Sequence, residues 1–312
     1  MSTDLLDGVQ SFITSLADPE GGFRPSNLLG YYGISDSQFS DMAPAYYAAV
    51  IAKTLGFSLP SPDRTIGYFH QRQRPDGRFA SFDPRPGLQR ESVSIYETTI
   101  AVMGLRALGQ KPMLSPAPFL ARWIRDGRLR ELPGYAWDFF PTCFAALDEP
   151  IPQEIDAAVR ELEAEKQDET GYVCNHVAVT FHLVHHRRLQ GERPPREDAI
   201  IERVLAEQCE DGGWHRGEPR SMVHATFDAV FILRQLRPDD RRCQDAIQRA
   251  ADWTLRNRNS DGGFGNFAGH PSDADATYFQ VGTLVMAGRL PLSSPALAED
   301  LGLGWGHAIA PL

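Results

Sequence analysis

Asp261-Gly262-Gly263-Phe264, followed by Asp273-Ala274-Asp275-Ala276-Thr277, is the stretch of sequence that decides the fold. It consists of a glycine turn that ends in an aromatic residue and the start of an apolar stretch that runs to residue 288. The turn recurs at residues 18–23, 73–79, 126–129, 167–172 and 208–214. A unit repeated at this spacing is typical of proteins built from stacked pairs of helices.

Each turn lies between two predicted helices of different character. The stretch before the turn is amphipathic, as at residues 200–208, where apolar residues recur near helical spacing. The stretch after it is apolar nearly all round, which is typical of a helix buried in a core. These inner stretches are 43–56, 96–109, 140–147, 178–189, 224–236 and 275–288, and five of them carry a threonine near their start: Thr98, Thr142, Thr180, Thr226 and Thr277. The turn glycine is predicted to end the outer helix through a positive φ.

This pattern predicts an all-α protein in which six helix pairs form a single domain over residues 1–312. Open solenoids and closed toroids can both be built from such pairs. A solenoid usually needs distinct polar caps at its two ends, whereas the first and last turns here are both well formed. We therefore expect an α6/α6 toroid in which inner helices surround a central cavity.

The composition of the chain limits which binding partners and which cellular compartment are expected. The net charge of −10 argues against nucleic acid as a partner, because phosphate binding needs basic patches. The four cysteines show no paired spacing, which favours reduced thiols in the cytoplasm. We expect no signal peptide, and no apolar run approaches the ~18 residues of a membrane span. These features do not exclude a peripheral contact with a membrane.

The turn sequences resemble those of a known superfamily. Gln208-Cys-Glu-Asp-Gly212-Gly-Trp214 resembles the Q-x-x-x-G-x-W motif of squalene–hopene and oxidosqualene cyclases, and residues 73–79 fit it with phenylalanine last. Asp-Gly-Gly-Phe/Trp before a threonine-containing helix is also similar to the repeats of protein prenyltransferase β subunits. Both groups are α/α toroids of six helix pairs, so the resemblance implies this fold and an isoprenoid substrate.

The resemblance to zinc prenyltransferases implies an Asp and a Cys at the start of the fifth inner helix and a His at the start of the sixth. Aligned on the shared threonines, these places hold Met222, His224 and Ala276. A catalytic zinc needs about three protein ligands, so no metal site is expected. His182 and His186 have an i, i+4 spacing that can bind metal, but a packed or solvated helix face is the preferred interpretation.

The stretch from Asp273 to Thr277 resembles the D-x-D-D-T motif of class II terpene cyclases, with Ala276 in place of the third Asp. It is also similar to the D-x-D-T-T variant of some drimane-type sesquiterpene cyclases. The resemblance implies that Asp275 donates a proton to the substrate, with Asp273 or Thr277 orienting it. Desolvation and a second carboxylate both raise a carboxyl pKa, which would keep such an acid protonated. The alternative is that these aspartates only N-cap the helix.

The starts of the other inner helices are expected to face the same end of the cavity. Aromatic faces there would stabilise a carbocation. Arginines beside Trp214 are candidates for binding a substrate diphosphate, which would bring Mg²⁺ with it. The substrate-binding candidates are Thr277, Tyr96, Glu97, Trp137, Asp138, Phe140, His176, His224, Tyr278, Arg216 and Arg220.

Together these features predict a class II, protonation-initiated terpene cyclase that acts on a linear isoprenoid such as a prenyl diphosphate. Two alternatives stay open. One is a prenyltransferase-like enzyme without the zinc site, and the other is a non-catalytic toroid that binds a lipid or a protein. A deep aromatic cavity with Asp275 at one end would favour cyclisation over both.

Overall fold

The computed structural model describes residues 2–31, 40–82, 90–215, 217, 220–294 and 297. These residues form twelve α-helices and two short 3-10 helices (Arg128–Glu131 and Gly134–Ala136), and no strand longer than an isolated bridge occurs among them. The α-helices are α1 (Ser2–Ser15), α2 (Ala43–Leu55), α3 (Pro62–His70), α4 (Glu91–Ala107), α5 (Ala117–Arg125), α6 (Phe139–Ala146), α7 (Gln153–Lys166), α8 (Val177–Leu189), α9 (Glu197–Ala206), α10 (Val223–Leu236), α11 (Arg241–Arg256) and α12 (Ala274–Met286). The all-α prediction is confirmed.

Alternate helices form an inner ring. Helices α2, α4, α6, α8, α10 and α12 contact one another in chain order, and α12 also contacts α2. Every residue of α12 is buried, as its nearly uniform apolar sequence predicts. Outer helices pack against this ring, with α1 on α2, α3 on α4, α9 on α10 and α11 on α12. The chain therefore closes into the predicted toroid. No helix in the described part of the chain is long and apolar enough to cross a membrane.

The last repeat closes the ring against the N-terminal segment. The backbone N–H of Ala274 donates to the carbonyl of Pro25 at 2.8 Å, and the Ser26 hydroxyl donates to the carbonyl of Ser272 at 2.6 Å. Arg258 also donates to the carboxylate of Asp4 in α1, at 2.7 Å. These contacts join residues more than two hundred positions apart and place the start of α12 beside the segment that follows α1.

In three of the six repeats a turn glutamine ties the repeat to the next one. Gln208 Nε2 donates to the carbonyl of Gly212 in its own turn and to the carbonyl of Ala246 in α11, both at 2.8 Å. Gln73 and Gln167 make the corresponding pair of bonds, to their own turns and to Leu114 or Pro195 near the next outer helix. The glutamine of the Q-x-x-x-G-x-W motif is thus an inter-repeat clamp.

The turn glycines do not end the outer helices, and that part of the sequence prediction is wrong. Helix α9 ends at Ala206, well before Gly212. The glycine is needed because the turn has a positive φ and passes close to the next outer helix. At Gly262, where φ is 87°, a Cβ would lie 2.3 Å from the carbonyl oxygen of Gly8 in α1. The motif glycine therefore permits backbone contact between neighbouring repeats.

The shared threonines anchor the turns to the inner helices. Thr277 Oγ1 accepts from the backbone N–H of Phe264 at 3.0 Å. The same bond links Thr98 to Phe79, Thr180 to Val173 and Thr226 to Trp214. In the fourth repeat Val173 takes the aromatic place that the sequence pattern assigns to Tyr172. The third repeat departs further, since a pair of 3-10 helices follows its Gly127. Helix α4 begins at Glu91, five residues before the predicted start.

Candidate active site

In four of the six repeats the turn is bonded to a threonine near the start of its inner helix, so these inner helices start at the same end of the ring. Asp275, His224 and Tyr96 occupy equivalent places, two residues before Thr277, Thr226 and Thr98. The prediction that helix starts gather polar side chains at one end therefore has a geometric basis. Three clusters of buried ionisable groups lie at this end, on α12 and α10, on α4, and between α6 and α8.

Asp275 lies in the first turn of α12 and is fully buried. Its Oδ2 is 3.1 Å from Nε2 of His224, on the neighbouring helix α10. The His224 ring packs edge-on against Phe279, with centroids 4.5 Å apart. An imidazole N–H at this distance holds the carboxyl group in one orientation and stabilises its anion after proton transfer.

Asp273 caps α12 and also pairs with side chains from distant segments. Its Oδ1 accepts from the backbone N–H of Ala276 at 2.6 Å, so the capping interpretation is correct for this residue. Its Oδ2 accepts from the Tyr31 hydroxyl at 2.9 Å and from Asn266 Nδ2 at 3.0 Å. Burial, and then the negative charge of Asp275, raise the pKa of Asp273 to about 7. Two buried carboxyl groups on one helix start thus favour retention of a proton near neutral pH.

Glu97 is a second buried carboxyl group, on α4. Its Oε1 accepts from the backbone N–H of Ser81 at 3.0 Å, while its Oε2 has no hydrogen-bond partner among the described residues. Burial raises the pKa of Glu97 to about 8, against the lowering effect of the Ser81 bond. Glu97 is therefore mainly neutral at pH 7 and is the rival of Asp275 as a proton donor.

Asp138, in contrast to Glu97, is an ionised carboxylate. It is buried between α6 and α8, and its Oδ2 lies 2.6 Å from Nδ1 of His185 and 3.3 Å from Nδ1 of His182. Burial alone would raise its pKa, but the charge of His185 and the hydrogen bonds of both histidines hold the pKa of Asp138 at about 2. This carboxyl group stays ionised at every pH at which the protein is expected to work.

A run of aromatic rings joins the Asp275 and Asp138 clusters. From His224 it passes through Phe279, Phe227 and Phe181, with successive centroids 4.5, 5.1 and 6.0 Å apart. The Phe181 ring then lies 4.8 Å from that of His182. Aromatic faces stabilise cations without adding a nucleophile that would capture them. These three rings are not among the residues predicted from the sequence, because nothing local shows that they pack in series across α12, α10 and α8.

Several predicted substrate-binding residues are engaged by the fold itself. The Thr277 hydroxyl receives the Phe264 bond described above, and the Tyr278 hydroxyl lies 2.5 Å from that of Tyr46. His176 caps α8 by accepting from Ala178 N–H at 3.1 Å. Phe140 is completely buried in the core. These four residues are thus part of the packing of the inner ring.

The other predicted residues have more varied surroundings. The Tyr96 ring lies 5.9 Å from that of Phe139, and Trp137 is buried just before α6. Arg220 is exposed and stacks over Phe267 at 4.5 Å. Arg216 lies outside the described residues. Of the two arginines proposed for a diphosphate, Arg220 alone can be placed, at the surface beside the last glycine turn.

Metal ligation finds no support in the histidines of α8. His182 faces Asp138, whereas His186 pairs with Glu163 at 3.0 Å and Asp156 at 2.8 Å. The two rings therefore have different partners. Within the part of the chain that the structure describes, no group of three or more His, Cys, Asp or Glu side chains could hold a metal ion.

Sequence reasoning missed the partners that set the charge of each carboxyl group. Tyr31 and Asn266 for Asp273, and His182 and His185 for Asp138, come from other segments of the chain. The histidines carried a usable signal, since polar residues in an otherwise apolar inner helix need buried partners. Tyr31 carried none, because its contact depends on ring closure.

The sequence of this chain is similar to those of known proteins. The sequence profile of the prenyltransferase alpha-alpha toroid domain matches residues 1–125 and 171–301, and it omits the divergent third repeat. A terpentedienyl-diphosphate synthase of Kitasatospora griseola is 32% identical over 93 residues, which are 30% of this chain but only 18% of that relative.

Two solved structures show the same fold. The type II terpene cyclase MstE from Scytonema, in complex with merosterolic acid A, superposes with a TM-score of 0.58 at 15% identity, covering 90% of this chain and 94% of that one. Candida albicans protein geranylgeranyltransferase-I complexed with GGPP gives a TM-score of 0.62 at 13% identity, covering 90% of each chain. At these identities the likeness shows the fold alone.

Proposed function

This chain belongs to the prenyltransferase alpha-alpha toroid family, and within it we propose a class II terpene cyclase that starts the reaction by protonating a linear isoprenoid. The observation that carries the proposal is the pair Asp273 and Asp275, two fully buried carboxyl groups at the start of α12. Burial, and then the charge of Asp275, raise the pKa of Asp273 to about 7, so the pair holds one proton near neutral pH. Asp275, which His224 adjoins, is the member of the pair proposed to deliver that proton to the substrate. A helix N-cap needs only one of these two carboxyl groups.

The proposed chemistry follows from these positions. The Asp275 O–H bond breaks and its proton forms a new C–H bond with the π electrons of a terminal alkene, which leaves a tertiary carbocation. The resulting carboxylate is stabilised by His224. Internal alkenes then attack the cation in turn and close the rings, while the aromatic run from Phe279 to Phe181 stabilises each cation. Water is kept away because the helix starts are buried.

The relatives support an isoprenoid substrate for this protein. Their names record a terpentedienyl diphosphate product in one case and bound GGPP in another. We therefore propose a prenyl diphosphate as the substrate, with Arg220 as a diphosphate contact. Because the described residues contain no cluster that could hold a metal, Mg²⁺ enters the proposal only as the counter-ion of the diphosphate.

The test is incubation of the purified protein with geranyl, farnesyl and geranylgeranyl diphosphates and with squalene, followed by phosphatase treatment and mass spectrometry. Asp275→Asn is the matched loss of the acid. Asp252→Asn is its control, because this carboxylate is exposed on α11 and pairs with Arg289. A cyclic product that Asp252→Asn keeps and Asp275→Asn loses supports the proposal.

Two other outcomes count against it. A cyclic product made equally by Asp275→Asn would keep the cyclase and transfer the acid role elsewhere, with Glu97 the first residue to replace. No cyclic product from any of the four substrates would contradict the proposal, and a toroid that only binds lipid or protein would then be favoured. Calorimetric titration with the same diphosphates would distinguish binding from inertness.

A further inference from the structure

We propose that His182, held by Asp138, is the base that removes a proton from the final carbocation, so that the product gains a carbon–carbon double bond instead of a hydroxyl group. The inference rests on the proposed function, because it concerns the last step of the same reaction. It is carried by the position of the histidine on the ring, by its bond to Asp138 and by the aromatic run that leads to it.

The repeat places His182 on the same inner face as the proposed acid. Ala178 is the fourth-repeat equivalent of Asp275, and His182 follows it by four residues. Residues at i and i+4 share one helix face, so His182 lies one turn deeper along that face. Phe279 has the same place in α12, and its contact with His224 shows that this face meets its neighbours within the ring.

Asp138 prepares His182 for this role. The ionised carboxylate accepts from Nδ1–H, which leaves the lone pair of the neutral ring on Nε2. Once Nε2 takes a proton, the resulting imidazolium lies beside a buried negative charge that stabilises it. The same arrangement orients histidine bases by a buried aspartate in many enzymes.

His185 is the positioning partner in this cluster. It makes the shorter bond to Asp138, 2.6 Å against 3.3 Å, and its Nδ1 also lies 3.3 Å from the Thr142 hydroxyl. His185 is 1% exposed, whereas His182 is 5% exposed. His182 is therefore the slightly more exposed of the two buried histidines, while His185 fixes the carboxylate between α6 and α8.

The aromatic run explains how acid and base stay separate. Phe279, Phe227 and Phe181 pack in series between the two clusters, and the Phe139 ring lies 5.7 Å from that of His182. Aromatic rings stabilise a cation but do not remove its proton. A cation that migrates from the Asp275–His224 pair to the far end of the run thus meets an imidazole base at His182, remote from the carboxyl pair that started the reaction.

The proposed step is balanced. A C–H bond adjacent to the cationic carbon breaks, and its electron pair becomes the new π bond. The proton goes to His182 Nε2 and then exchanges with solvent. One proton enters the substrate from Asp275 and one leaves to His182, so the product is an isomer of the substrate.

The experiment compares products of the wild-type protein with those of His182→Phe and His182→Gln, using the prenyl diphosphate that gives the most cyclic product. His186→Gln is the matched control, since this buried α8 histidine faces Glu163 on α7. We expect the control to keep the wild-type product ratio. We expect the His182 variants to consume substrate within about tenfold of wild type while at least half of the product shifts to hydroxylated or isomeric alkene compounds.

Asp138→Asn should shift the product ratio in the same direction by a smaller amount, which a purely structural role would not do. An unchanged ratio in a folded His182 variant would overturn the inference. If both His182 variants fail to fold by circular dichroism, the wild-type product decides: an isomer of the substrate supports proton loss, and a product 18 mass units heavier overturns it. Absence of any cyclic product from wild type would instead overturn the proposed function, and this inference with it.

Discussion

Asp273 and Asp138 occupy the same place in two repeats, four residues before Thr277 and Thr142, and both are buried. Yet their pKa values are displaced in opposite directions, to about 7 for Asp273 and to about 2 for Asp138. The repeat position alone cannot account for this difference. It fixes how deep the carboxyl group lies, but not its charge.

The neighbours supplied by other repeats decide the charge. Asp273 shares the start of α12 with a second carboxyl group, Asp275, which disfavours its ionisation. Asp138 faces two imidazoles from α8, which favour the ionised form of its carboxyl group. One repeated scaffold thus offers a proton-retaining cluster, around Asp273, and a proton-accepting cluster, around Asp138. This division is the property that a protonation-initiated cyclase needs, and the predictions below test it.

The largest expected effect is on catalysis by the proton-retaining cluster. Asp275→Asn removes the proposed acid and keeps the side-chain shape, so we expect cyclisation to fall by about 10²–10⁴-fold, the usual contribution of a general acid. Asp273→Asn keeps a good capping residue and should cost less. Steady-state product formation with folded variants is the measurement. Equal losses in the two variants would contradict the assignment of the acid.

The last glycine turn, which closes the ring against α1, should tolerate substitution less well than a glycine within an outer helix. Gly262→Ala forces a positive φ on alanine and a contact with Gly8, which we expect to cost about 1–3 kcal/mol of stability. Gly67→Ala in α3 meets open space and should instead stabilise by about 0.5–1 kcal/mol. Thermal or urea unfolding measures both changes. A neutral Gly262→Ala variant would show that the last turn does not need close contact with α1.

The two aspartates should give opposite pH dependences of stability. The raised pKa of Asp273 means that the unfolded chain ionises first, so this residue makes the fold less stable as pH rises from about 4 to about 7. The lowered pKa of Asp138 means that its stabilisation is present above about pH 4 and is lost as pH falls towards 2.

Urea unfolding across pH 2–8 checks this contrast. Asp273→Asn should flatten the wild-type slope between pH 4 and 7, and Asp138→Asn should flatten it between pH 4 and 2. Slopes of the same sign for the two aspartates would show that the local charges around them are not those described above.

The smallest effect is expected at Glu97. Because burial keeps this carboxyl group mainly neutral at pH 7, Glu97→Gln preserves both its charge and its shape. We expect cyclisation at pH 7 to change by less than about tenfold, as measured by initial rates. A loss comparable with that of Asp275→Asn would instead make Glu97 the proton donor, and the α12 carboxyl pair would become its supporting charge.

Much of the fold could be predicted from the sequence because its determinants are local and repeated. The turn glycine, the clamp glutamine and the threonine each act within one repeat or on the next, as Gln208, Gly212 and Thr226 show. Their spacing indicated stacked helix pairs, and the well-formed first and last turns favoured a closed toroid over an open solenoid. The role of the turn glycine was predicted wrongly. The glycine is needed because the next outer helix comes close to the turn, and this is a tertiary contact that the local sequence does not show.

The site was less predictable because its charges depend on distant partners. Asp273 meets Tyr31 from the other end of the chain, and Asp138 meets His182 across two helices. The motif around Asp275 indicated a carboxyl pair, but not the direction in which each neighbour shifts a pKa. Nor could it indicate that Phe227 and Phe279 face each other.

The most direct test of the central claim is the reaction in D₂O with the prenyl diphosphate that the protein cyclises. If Asp275 starts the reaction by protonation, its exchangeable hydrogen becomes deuterium and enters the substrate. The product should therefore be one mass unit heavier, with the deuterium on the carbon that receives the initiating proton. A cyclic product with no added deuterium would contradict the account, because the reaction would then begin without protonation of the alkene.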